Sequence, residues 1–242
     1  MYLRDRIEEE HRVWRSKPQL RLLKEDYYSR IRVLLPDGGR VVELGSGCGG
    51  FKEFLPGAIS TDIHPSPWVD VAAVAERLPF FGDSVDGLVA MDVLHHMERP
   101  LVFFQEAARV LKGRSPLILL EPYVSWGSWV TWHHLHHEAC SMKEPFGFEG
   151  EFKRENNARA TLWFQRNRES MQSLIRPLVV ESVENLDLFY YPLMGGFRPW
   201  SLVPRVLAPV VLRLDRWLGR RLGKRMGYRI LVVLRKGHTG RE

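Results

Sequence analysis

Apolar residues recur at helical intervals near the beginning of the chain. They stand three or four positions apart, the spacing that places side chains on one face of a helix: Leu20, Leu23, Tyr27, Ile31 and Leu34. Residues 36–39, Pro-Asp-Gly-Gly, then end the pattern, because proline and glycine favour turns. We therefore expect residues 1–39 to form a leading helical segment.

From Arg40 onward the pattern changes to short apolar runs separated by glycine, proline and aspartate. Such runs are typical of strands that are buried on both faces of a parallel sheet. They cover residues 41–44, 58–61, 69–74, 85–91 and 117–120. Between the last two runs, residues 100–112 place their apolar side chains on one helical face. Strands that alternate with helices predict an α/β fold with right-handed crossovers.

After Pro122 this alternation stops. Residues 122–178 are rich in aromatic, histidine and charged side chains and contain no strand signal, so we expect a helical insertion there. Regular apolar runs return at 178–188 and 228–234, which predicts two last strands. Between them lies a long basic segment with helical periodicity, and two prolines, Pro204 and Pro209, break its start.

Charge changes this picture only in the last part of the chain. The formal net charge is +6, and basic residues concentrate from Arg198 to Arg241. In residues 200–226 they are interleaved with leucine, valine and tryptophan, which is typical of an amphipathic helix on an anionic membrane. A helix that packs on the sheet with a solvated basic face has the same pattern, so both interpretations stay open. No nucleic-acid reader motif is present, and we expect no nucleic-acid partner.

The composition favours a reducing compartment. The two cysteines, Cys48 and Cys140, do not indicate a disulfide framework. Charged residues interrupt the apolar ones at the N-terminus, unlike a signal peptide or a membrane span. We therefore expect a cytoplasmic protein, peripheral to the inner face of the membrane if the basic helix binds lipid. The oligomeric state is left open.

A glycine-rich segment follows the first predicted strand and precedes a predicted helix. Gly45, Gly47 and Gly50 satisfy the G-x-G-x-x-G pattern, which allows a tight turn and a close approach of a ligand to the backbone. Asp62 stands at the end of the second strand, where a carboxylate can accept hydrogen bonds from both ribose hydroxyls. Together these features indicate a nucleoside site, with a plain turn and a solvated aspartate as the alternative.

Five motifs occur in order between residues 40 and 121. They begin at Glu43, Thr61, Ala75, Ser84 and Asp92 and read Glu-Leu-Gly-Ser-Gly, Thr-Asp-Ile, Ala-Glu-Arg-Leu-Pro-Phe, Ser-Val-Asp-Gly-Leu-Val and Asp-Val-Leu-His-His. This order resembles class I S-adenosylmethionine-dependent methyltransferases of the small-molecule type. The resemblance implies a doubly wound, seven-stranded, mostly parallel Rossmann-like sheet whose last strand is antiparallel. It also implies S-adenosylmethionine as the cofactor.

The resemblance further implies which residues bind this cofactor: Glu43, Gly45, Ser46, Gly47, Asp62, Ile63, Ala75, Glu76 and Met91. The two glycines would admit the methionine part, and the glutamate before them would order their loop. Asp62 would bind the ribose, and Ile63 would cover one face of adenine. Ala75 and Glu76 would contact the adenine edge, and Met91 the methionine end.

The chemistry of the loop favours this cofactor over a dinucleotide. S-adenosylmethionine has no phosphate, so its loop need not bind an anion. Glu43 would repel a pyrophosphate but suits an ammonium group and a sulfonium. One position departs from the family, because Val74 stands where an acidic residue usually precedes the adenine-edge position. How the adenine amino group is held is therefore open.

Residues 132–138, Trp-His-His-Leu-His-His-Glu, are the most unusual stretch of the second half. On a helix His133 and His137 share a face, so a metal pair completed by Glu138 or His96 is one interpretation. The spacing fits no defined metal motif, and we expect no metal. The other interpretations are histidines of a lid and a general base for the acceptor. Our hypothesis for the base is His137, oriented by Glu138, with His96 as a further candidate.

The chain is thus predicted to be one methyltransferase domain, residues 1–242. Its parts are the N-terminal helical segment 1–39, a cofactor-binding half 40–121, a lid insertion 122–178, and the last strands with the basic amphipathic helix, 179–242. Further side chains that could line an acceptor pocket are Glu121, Asn156, Asn157, Tyr190 and Tyr191. The hypothesis for the acceptor is an oxygen of a small molecule, a glycan or a lipid-linked compound. An NAD(P)-dependent Rossmann oxidoreductase and a catalytically silent membrane-associated binding module are the alternatives.

Overall fold

The computed structural model describes residues 2–135, 139–143 and 155–237. Within these ranges seven strands form one sheet, and in chain order they are β1 (Val41–Leu44), β2 (Ile59–Asp62), β3 (Val71–Ala72), β4 (Gly87–Met91), β5 (Pro116–Pro122), β6 (Leu178–Leu186) and β7 (Arg229–Lys236). Their order across the sheet is β3-β2-β1-β4-β5-β7-β6. The first five are parallel, and β7 is antiparallel to β5 and β6. The predicted doubly wound, seven-stranded, mostly parallel sheet is confirmed.

Helices accompany the sheet along the described chain: α1 (Tyr2–Ser16), α2 (Pro18–Arg32), α3 (Gly50–Phe54), α4 (Pro100–Val110), α5 (Arg159–Thr161), α6 (Arg168–Leu174), α7 (Tyr190–Met194) and α8 (Ala208–Met226). Leu94–His96 and Arg205–Leu207 are short 3-10 turns, whereas Thr131–Leu135 and Leu162–Arg166 are π-helical. Between the end of β5 at Pro122 and the start of β6 at Leu178, the described residues therefore contain helix and no strand. No described helix is both long and apolar enough to cross a membrane.

The sheet buries side chains on both faces, because successive residues of a strand point to opposite sides. In β1, Val42 and Leu44 belong to a core that α4 and the insertion helices cover, whereas Val41 belongs to the core on the other face. Residues of α1, α2, α7 and α8 complete that second core. Burial on both faces explains why these strands read as continuous apolar runs.

The carboxyl ends of β1, β2, β4 and β5 meet at one edge of the sheet, because these strands are parallel. β2 and β3 lie on one side of β1, and β4 and β5 lie on the other. In open α/β sheets such a reversal of winding leaves a crevice outside the carboxyl ends of the strands. The ends of these strands and the loops that leave them are called the carboxyl edge below.

Candidate active site

The loop between β1 and α3 lies at the centre of the carboxyl edge. Gly45, Gly47 and Gly49 have φ values of 67°, 50° and 76°, which residues with a Cβ rarely adopt. A Cβ at Gly45 would lie 2.3 Å from Val93 Cγ2, whereas a Cβ at Gly47 would meet nothing within 4 Å. The first glycine is therefore needed for packing against the loop after β4. The second leaves open space above the backbone.

Hydrogen bonds to the end of β2 fix this loop. The Ser46 N–H donates to the Thr61 carbonyl at 3.0 Å, and the Ser46 hydroxyl donates to the same oxygen at 3.2 Å. The Gly47 N–H donates to Asp62 Oδ2 at 3.1 Å, and the His64 N–H donates to Asp62 Oδ1 at 2.9 Å. A carboxylate has about four lone-pair sites, so Asp62 can still accept hydrogen bonds from ribose. The structure thus brings Asp62 to the glycine loop, and its role toward ribose stays a prediction.

Glu43 lies beneath the loop with part of its carboxyl group unsatisfied. The residue is 3% exposed, and its Oε2 has no hydrogen-bond partner among the described residues. Burial raises the pKa of Glu43 to about 8, although Ser46 and Lys24 act in the opposite direction. A buried polar atom without a partner is destabilising, and a cation beside it would relieve this. The ammonium group of S-adenosylmethionine is such a cation, so Glu43 and the space above Gly47 fit the expected cofactor.

The other predicted cofactor residues lie around the same loop. Ile63 follows β2 and is 60% exposed, so its side chain is accessible to a flat ring such as adenine. Met91 ends β4 and is buried. Ala75 and Glu76 are half-buried in the segment that leaves β3, and Val74 before them is 47% exposed. These positions are compatible with the predicted roles, none of which the geometry alone tests.

Lys24, Asp92 and Arg229 form a charged cluster at the carboxyl edge to which the sequence analysis assigned no role. Lys24 Nζ lies 3.5 Å from Asp92 Oδ2, and Arg229 Nη2 lies 2.5 Å from Asp92 Oδ1. Burial would raise the pKa of Asp92, but the charges of Arg229 and Lys24 hold it well below its usual range. Asp92 therefore stays ionised between two cations, directly after β4.

Nothing local in the sequence marks the two cations of this cluster. Lys24 occupies a polar position of an amphipathic helix, and Arg229 begins an apolar strand. Lys24 Nζ lies 5.9 Å from the ring centre of Tyr27 and 5.6 Å from that of Phe197. Only the fold, which lays α2 across the end of β4, shows that Lys24 reaches the site.

Glu121 supports the turn that follows β4. It is fully buried near the end of β5, and its Oε1 accepts the N–H groups of Val93 at 2.9 Å and Leu94 at 2.8 Å. Its Oε2 lies 2.6 Å from His95 Nδ1, and His95 is buried as well. Glu121 therefore holds the turn and orients His95, a structural role that does not require contact with an acceptor.

His96 lies on the more exposed side of the same turn. Its ring centre is 4.0 Å from that of His95, and its Nδ1 lies 3.1 Å from Glu155 Oε2. The side chains of His96 and Glu155 are each 41% exposed. A histidine whose Nδ1–H donates to a carboxylate has its basic lone pair on Nε2. The pair therefore has the chemistry of a general base and the group that orients it, and Glu155 was not among the predicted residues.

The predicted base His137 and its partner Glu138 lie outside the described residues. His133 and His134, which precede them, are exposed, and the ring centre of His133 lies 4.4 Å from that of Trp129 in a stacked pair. Over the described ranges, no three His, Cys, Asp or Glu side chains group as a metal site requires. The role of His137 stays a prediction.

Aromatic side chains lie beside the charged cluster, beyond β5. The ring centres of Trp132, Tyr191 and Tyr228 are 6.2 Å apart in each pair. The Arg229 guanidinium lies 5.8 Å from the ring centre of Tyr191. Tyr190 is buried, and its hydroxyl donates to a backbone carbonyl of α2 at 3.1 Å. Of the two tyrosines considered for the acceptor pocket, only Tyr191 therefore neighbours the cluster.

Asn156 and Asn157 hold parts of the insertion together. The Asn156 Oδ1 accepts the Ser141 N–H at 2.9 Å, and its Nδ2 donates to the Ser141 carbonyl at 2.9 Å. The Asn157 N–H donates to the Ala139 carbonyl at 2.9 Å. Both asparagines therefore have structural contacts within the insertion.

The cofactor half matches a known protein family. Residues 43–119 match the model of a family described as a methyltransferase domain. The matched range begins at Glu43 and includes the glycine loop, Asp62 and the turn of His95 and His96. No curated protein matches the chain.

Solved structures share the fold over nearly the whole chain. A possible histamine N-methyltransferase from Thermotoga maritima is 20% identical, with 97% of this chain and 99% of that chain covered at a TM-score of 0.56. A methyltransferase dependent on S-adenosylmethionine from Archaeoglobus fulgidus is 15% identical, with coverage of 89% and 94% and a TM-score of 0.55. Geranyl diphosphate C-methyltransferase from Streptomyces coelicolor, bound to S-adenosyl-L-homocysteine, is 14% identical, with coverage of 88% and 81% and a TM-score of 0.51. At these identities the likeness shows the fold alone.

Proposed function

We propose that this chain, a class I S-adenosylmethionine-dependent methyltransferase, transfers the methyl group to an oxygen atom of a small-molecule, glycan or lipid-linked acceptor at the carboxyl edge. The enzyme class and the cofactor are those predicted from the sequence, and the match of residues 43–119 to a methyltransferase domain confirms the enzyme class and supports the cofactor. The nature of the acceptor is the new part of the proposal. The observation that supports it best is the pair of His96 and Glu155, 3.1 Å apart beside the turn after β4.

The methionine part of the cofactor is a zwitterion, and the carboxyl edge offers a partner for each of its charges. The orphaned Oε2 of Glu43 would accept a hydrogen bond from the ammonium group. Lys24, whose charge acts on both Glu43 and Asp92, would pair with the carboxylate. Asp62 would accept hydrogen bonds from ribose, and Ile63 would cover adenine. We therefore add Lys24 to the predicted cofactor-binding residues.

S-adenosylmethionine supplies a methyl carbon that the adjacent sulfonium makes electrophilic. The chain would bring the acceptor oxygen in line with this carbon and exclude water, so that orientation and fixed charges would provide most of the rate gain. As the oxygen–carbon bond forms and the sulfur–carbon bond breaks, the hydroxyl proton of the acceptor must leave. His96 takes this proton on Nε2, while Glu155 holds the ring through Nδ1.

His137 with Glu138 is the second candidate for the base. The π-helical segment Thr131–Leu135 precedes it in the sequence, and Trp132 of this segment lies in the aromatic group beside Arg229. Helical distortions of this kind are frequent at functional sites. Two candidates on different elements can be separated by substitution.

The test compares turnover of His96→Gln and His137→Gln, with His133→Gln as the control on an exposed neighbour. A general base contributes about 10²–10⁴-fold to turnover. We expect a loss of this size in His96→Gln with unchanged cofactor affinity, and near-wild-type turnover in the other two variants. A large loss confined to His137→Gln would transfer the role to that residue. Full turnover in all three variants would contradict an acceptor that needs a histidine base.

The acceptor itself is found by labelling. Cell extract incubated with the enzyme and methyl-labelled cofactor is analysed by mass spectrometry for products that gain the label. Chemical cleavage of the bond to the labelled methyl group, followed by mass spectrometry, distinguishes an O-methyl group from an N- or C-methyl group. Calorimetry with Asp62→Ala checks the ribose contact in parallel, and an affinity equal to that of the wild type would remove Asp62 from the cofactor site.

A further inference from the structure

The helix α8 and the 3-10 turn before it expose an apolar stripe to solvent. Its side chains follow each other at helical spacing and are 84%, 61%, 48% and 55% exposed in chain order: Val206, Val210, Leu214 and Trp217. The other side of the helix is buried against β6 and α2, with Leu212 in the core. Apolar side chains that are grouped in this way, rather than scattered, mark an interaction surface.

Basic side chains continue the same side of α8 toward its C-terminus. Arg221 and Lys224 follow Trp217 at four and seven positions, so the three share one helical face. Arg213 and Arg220 flank this face, and all four basic side chains are exposed. The stripe and these four basic residues are called the outer face of α8. The apolar stripe and the basic residues therefore share the exposed side of the helix.

The outer face contains no acidic side chain. The single acidic residue of α8 is Asp215, which is fully buried. Its carboxylate accepts backbone N–H groups at the start of α7, including that of Tyr190 at 2.8 Å. The exposed side of this helix is therefore purely apolar and cationic.

The basic end of α8 lies next to the carboxyl edge. The hydroxyl of Tyr123, the residue after β5, donates to the Lys224 carbonyl at 2.8 Å. The Gly127 N–H donates to the Arg225 carbonyl at 3.1 Å, and the neighbouring Trp126 is 88% exposed. A partner bound at the basic end of α8 is thus close to residues 123–127, which leave the carboxyl edge.

We propose that the outer face of α8 binds the surface of an anionic lipid bilayer. The apolar stripe enters the boundary between headgroups and acyl chains, and the arginines and the lysine pair with anionic headgroups. This placement sets the carboxyl edge beside the membrane surface, where a lipid-linked acceptor would be found. That last consequence rests on the proposed function, whereas membrane binding itself does not.

An anionic bilayer offers partners for both the apolar stripe and the basic residues of the outer face, whereas other occupants offer partners for only one of the two. A nucleic acid would pair with the cations but leave Val206, Val210 and Leu214 in water. A second copy of the chain would bring the same cations, and the acidic side chains beside them, Glu25 and Asp26, belong to α2 and already line one groove with Arg213 and Arg220. Charge and apolar character together therefore favour anionic lipid.

The test is cosedimentation of the full chain with vesicles of phosphatidylcholine and phosphatidylglycerol at a molar ratio of about three to one. Pure phosphatidylcholine vesicles are the reference. We expect binding to the mixed vesicles that weakens from about 0.05 M to about 0.5 M salt, because salt screens surface charge. Cofactor affinity is measured by calorimetry on the same samples.

Two triple variants separate the contributions of the outer face. Arg220→Gln, Arg221→Gln and Lys224→Gln together should weaken binding roughly a hundredfold, since each basic residue near an anionic surface contributes about 1 kcal/mol. Val210→Ser, Leu214→Ser and Trp217→Ser should weaken it at least tenfold at high salt, where the apolar contribution dominates. The matched controls lie at the opposite edge of the sheet. The basic control is the triple variant Arg32→Gln, Arg40→Gln and Lys112→Gln, and the apolar control is the double variant Val33→Ser and Phe81→Ser. Both control variants should bind like the wild type.

Cofactor binding in every variant shows that the fold is intact and keeps the two proposals separate. Absence of binding to the mixed vesicles at low salt would overturn the membrane proposal even if methyl transfer is intact. Loss of binding in the basic variant alone would leave only a general anion-binding surface and overturn insertion into the bilayer. Analytical ultracentrifugation tests the last alternative. If the wild type is a dimer that does not bind vesicles and the serine variant is a monomer, the outer face binds a second copy of this chain instead.

Discussion

The cofactor loop, between β1 and α3, and the C-terminal layer, residues 187–226 with α7 and α8, are held by contacts of very different sequence separation. Around the loop, the Gly47 N–H and Asp62 are 15 positions apart, and the Thr61 hydroxyl donates to the Glu43 carbonyl over 18 positions. In the C-terminal layer, the Tyr27 hydroxyl donates to Asp187 over 160 positions. Lys17 Nζ donates to carbonyls of residues 194, 196, 198 and 200, which are 177 to 183 positions away.

This difference separates what local sequence specifies from what only the fold brings together. A loop fixed by its own two strands appears as a motif, because its partners keep a constant spacing. The polar contacts between α2 and the C-terminal layer join distant residues, so they leave no spacing to recognise. They are also buried, and buried charges are strongly destabilising when one partner is lost. The two regions should therefore respond differently to substitution.

Arg216→Met should have the largest effect, on stability rather than on the cofactor site. Arg216 Nε lies 2.8 Å from Asp26, and its Nη1 pairs with the buried Asp187 and lies 3.5 Å from Asp215. Its removal leaves two buried carboxylates without their cation, which typically costs about 3–5 kcal/mol. Urea unfolding measures the change.

Arg213→Met is the matched control, because Arg213 is exposed on the same helix. Its free energy of unfolding should stay within about 0.5 kcal/mol of the wild type. An Arg216→Met protein as stable as this control would show that the charge network does not hold the C-terminal layer.

Gly45→Ala should perturb the loop more than Gly47→Ala. Both glycines have positive φ, so alanine introduces strain of about 1–2 kcal/mol at either position. Only at Gly45 would the new Cβ also overlap Val93, at 2.3 Å from Cγ2, which adds about 1–3 kcal/mol of overpacking. Unfolding experiments on the two variants compare these effects. Val93→Ala in the Gly45→Ala background should recover part of the difference, and an equal effect at both glycines would contradict the contact with Val93.

Glu43→Gln should weaken cofactor binding and abolish the release of a proton that accompanies it. The folded pKa of about 8 exceeds the ordinary value of 4.5, so the cofactor-free protein holds a proton near neutral pH. The cofactor's ammonium would replace that proton, and the variant would lose a charged hydrogen bond of about 1.5–3 kcal/mol. Calorimetry in two buffers of different ionisation enthalpy should detect proton release with the wild type and none with the variant.

The same group sets a pH dependence of stability. Since its folded pKa is raised, Glu43 contributes stability that is complete below about pH 4.5 and is lost as the pH rises through about 8. The cofactor-free Glu43→Gln protein should therefore lose less stability than the wild type over this window. Identical pH profiles would show that Glu43 is already ionised without the cofactor.

The strands and the cofactor residues could be predicted because both depend on local sequence. β1, β4 and β5 are buried on two faces, so their apolar runs are unambiguous, and Asp62 follows the glycines at a recognisable distance. Lys24, Arg229 and Glu155 could not be predicted, because each reaches the carboxyl edge from an element whose place only the tertiary fold determines.

The helix α8 shows where periodicity stops being informative. Its sequence has more apolar positions than one buried face accommodates, so pattern alone cannot say which of them are buried. In the structure Leu212 is buried, Trp217 is 55% exposed, and the acidic Asp215 lies in the packed face. Packing against α2 and β6, together with the hydrogen bonds that Asp215 accepts from backbone N–H groups, determines which side of α8 is buried.

The smallest predicted effect is that of His11→Ala, which tests whether α1 supports the cofactor loop. His11 Nδ1 lies 3.1 Å from the Cys48 carbonyl, and its ring stacks on Trp68 with centres 4.2 Å apart. Trp68 in turn packs against Gly49 of the loop. Loss of one hydrogen bond and one ring contact at a half-buried position should lower cofactor affinity by about 0.5–1.5 kcal/mol, measured by calorimetry. Arg12→Ala, an exposed neighbour, is the control, and equal affinities of the two variants would mean that α1 covers the loop without ordering it.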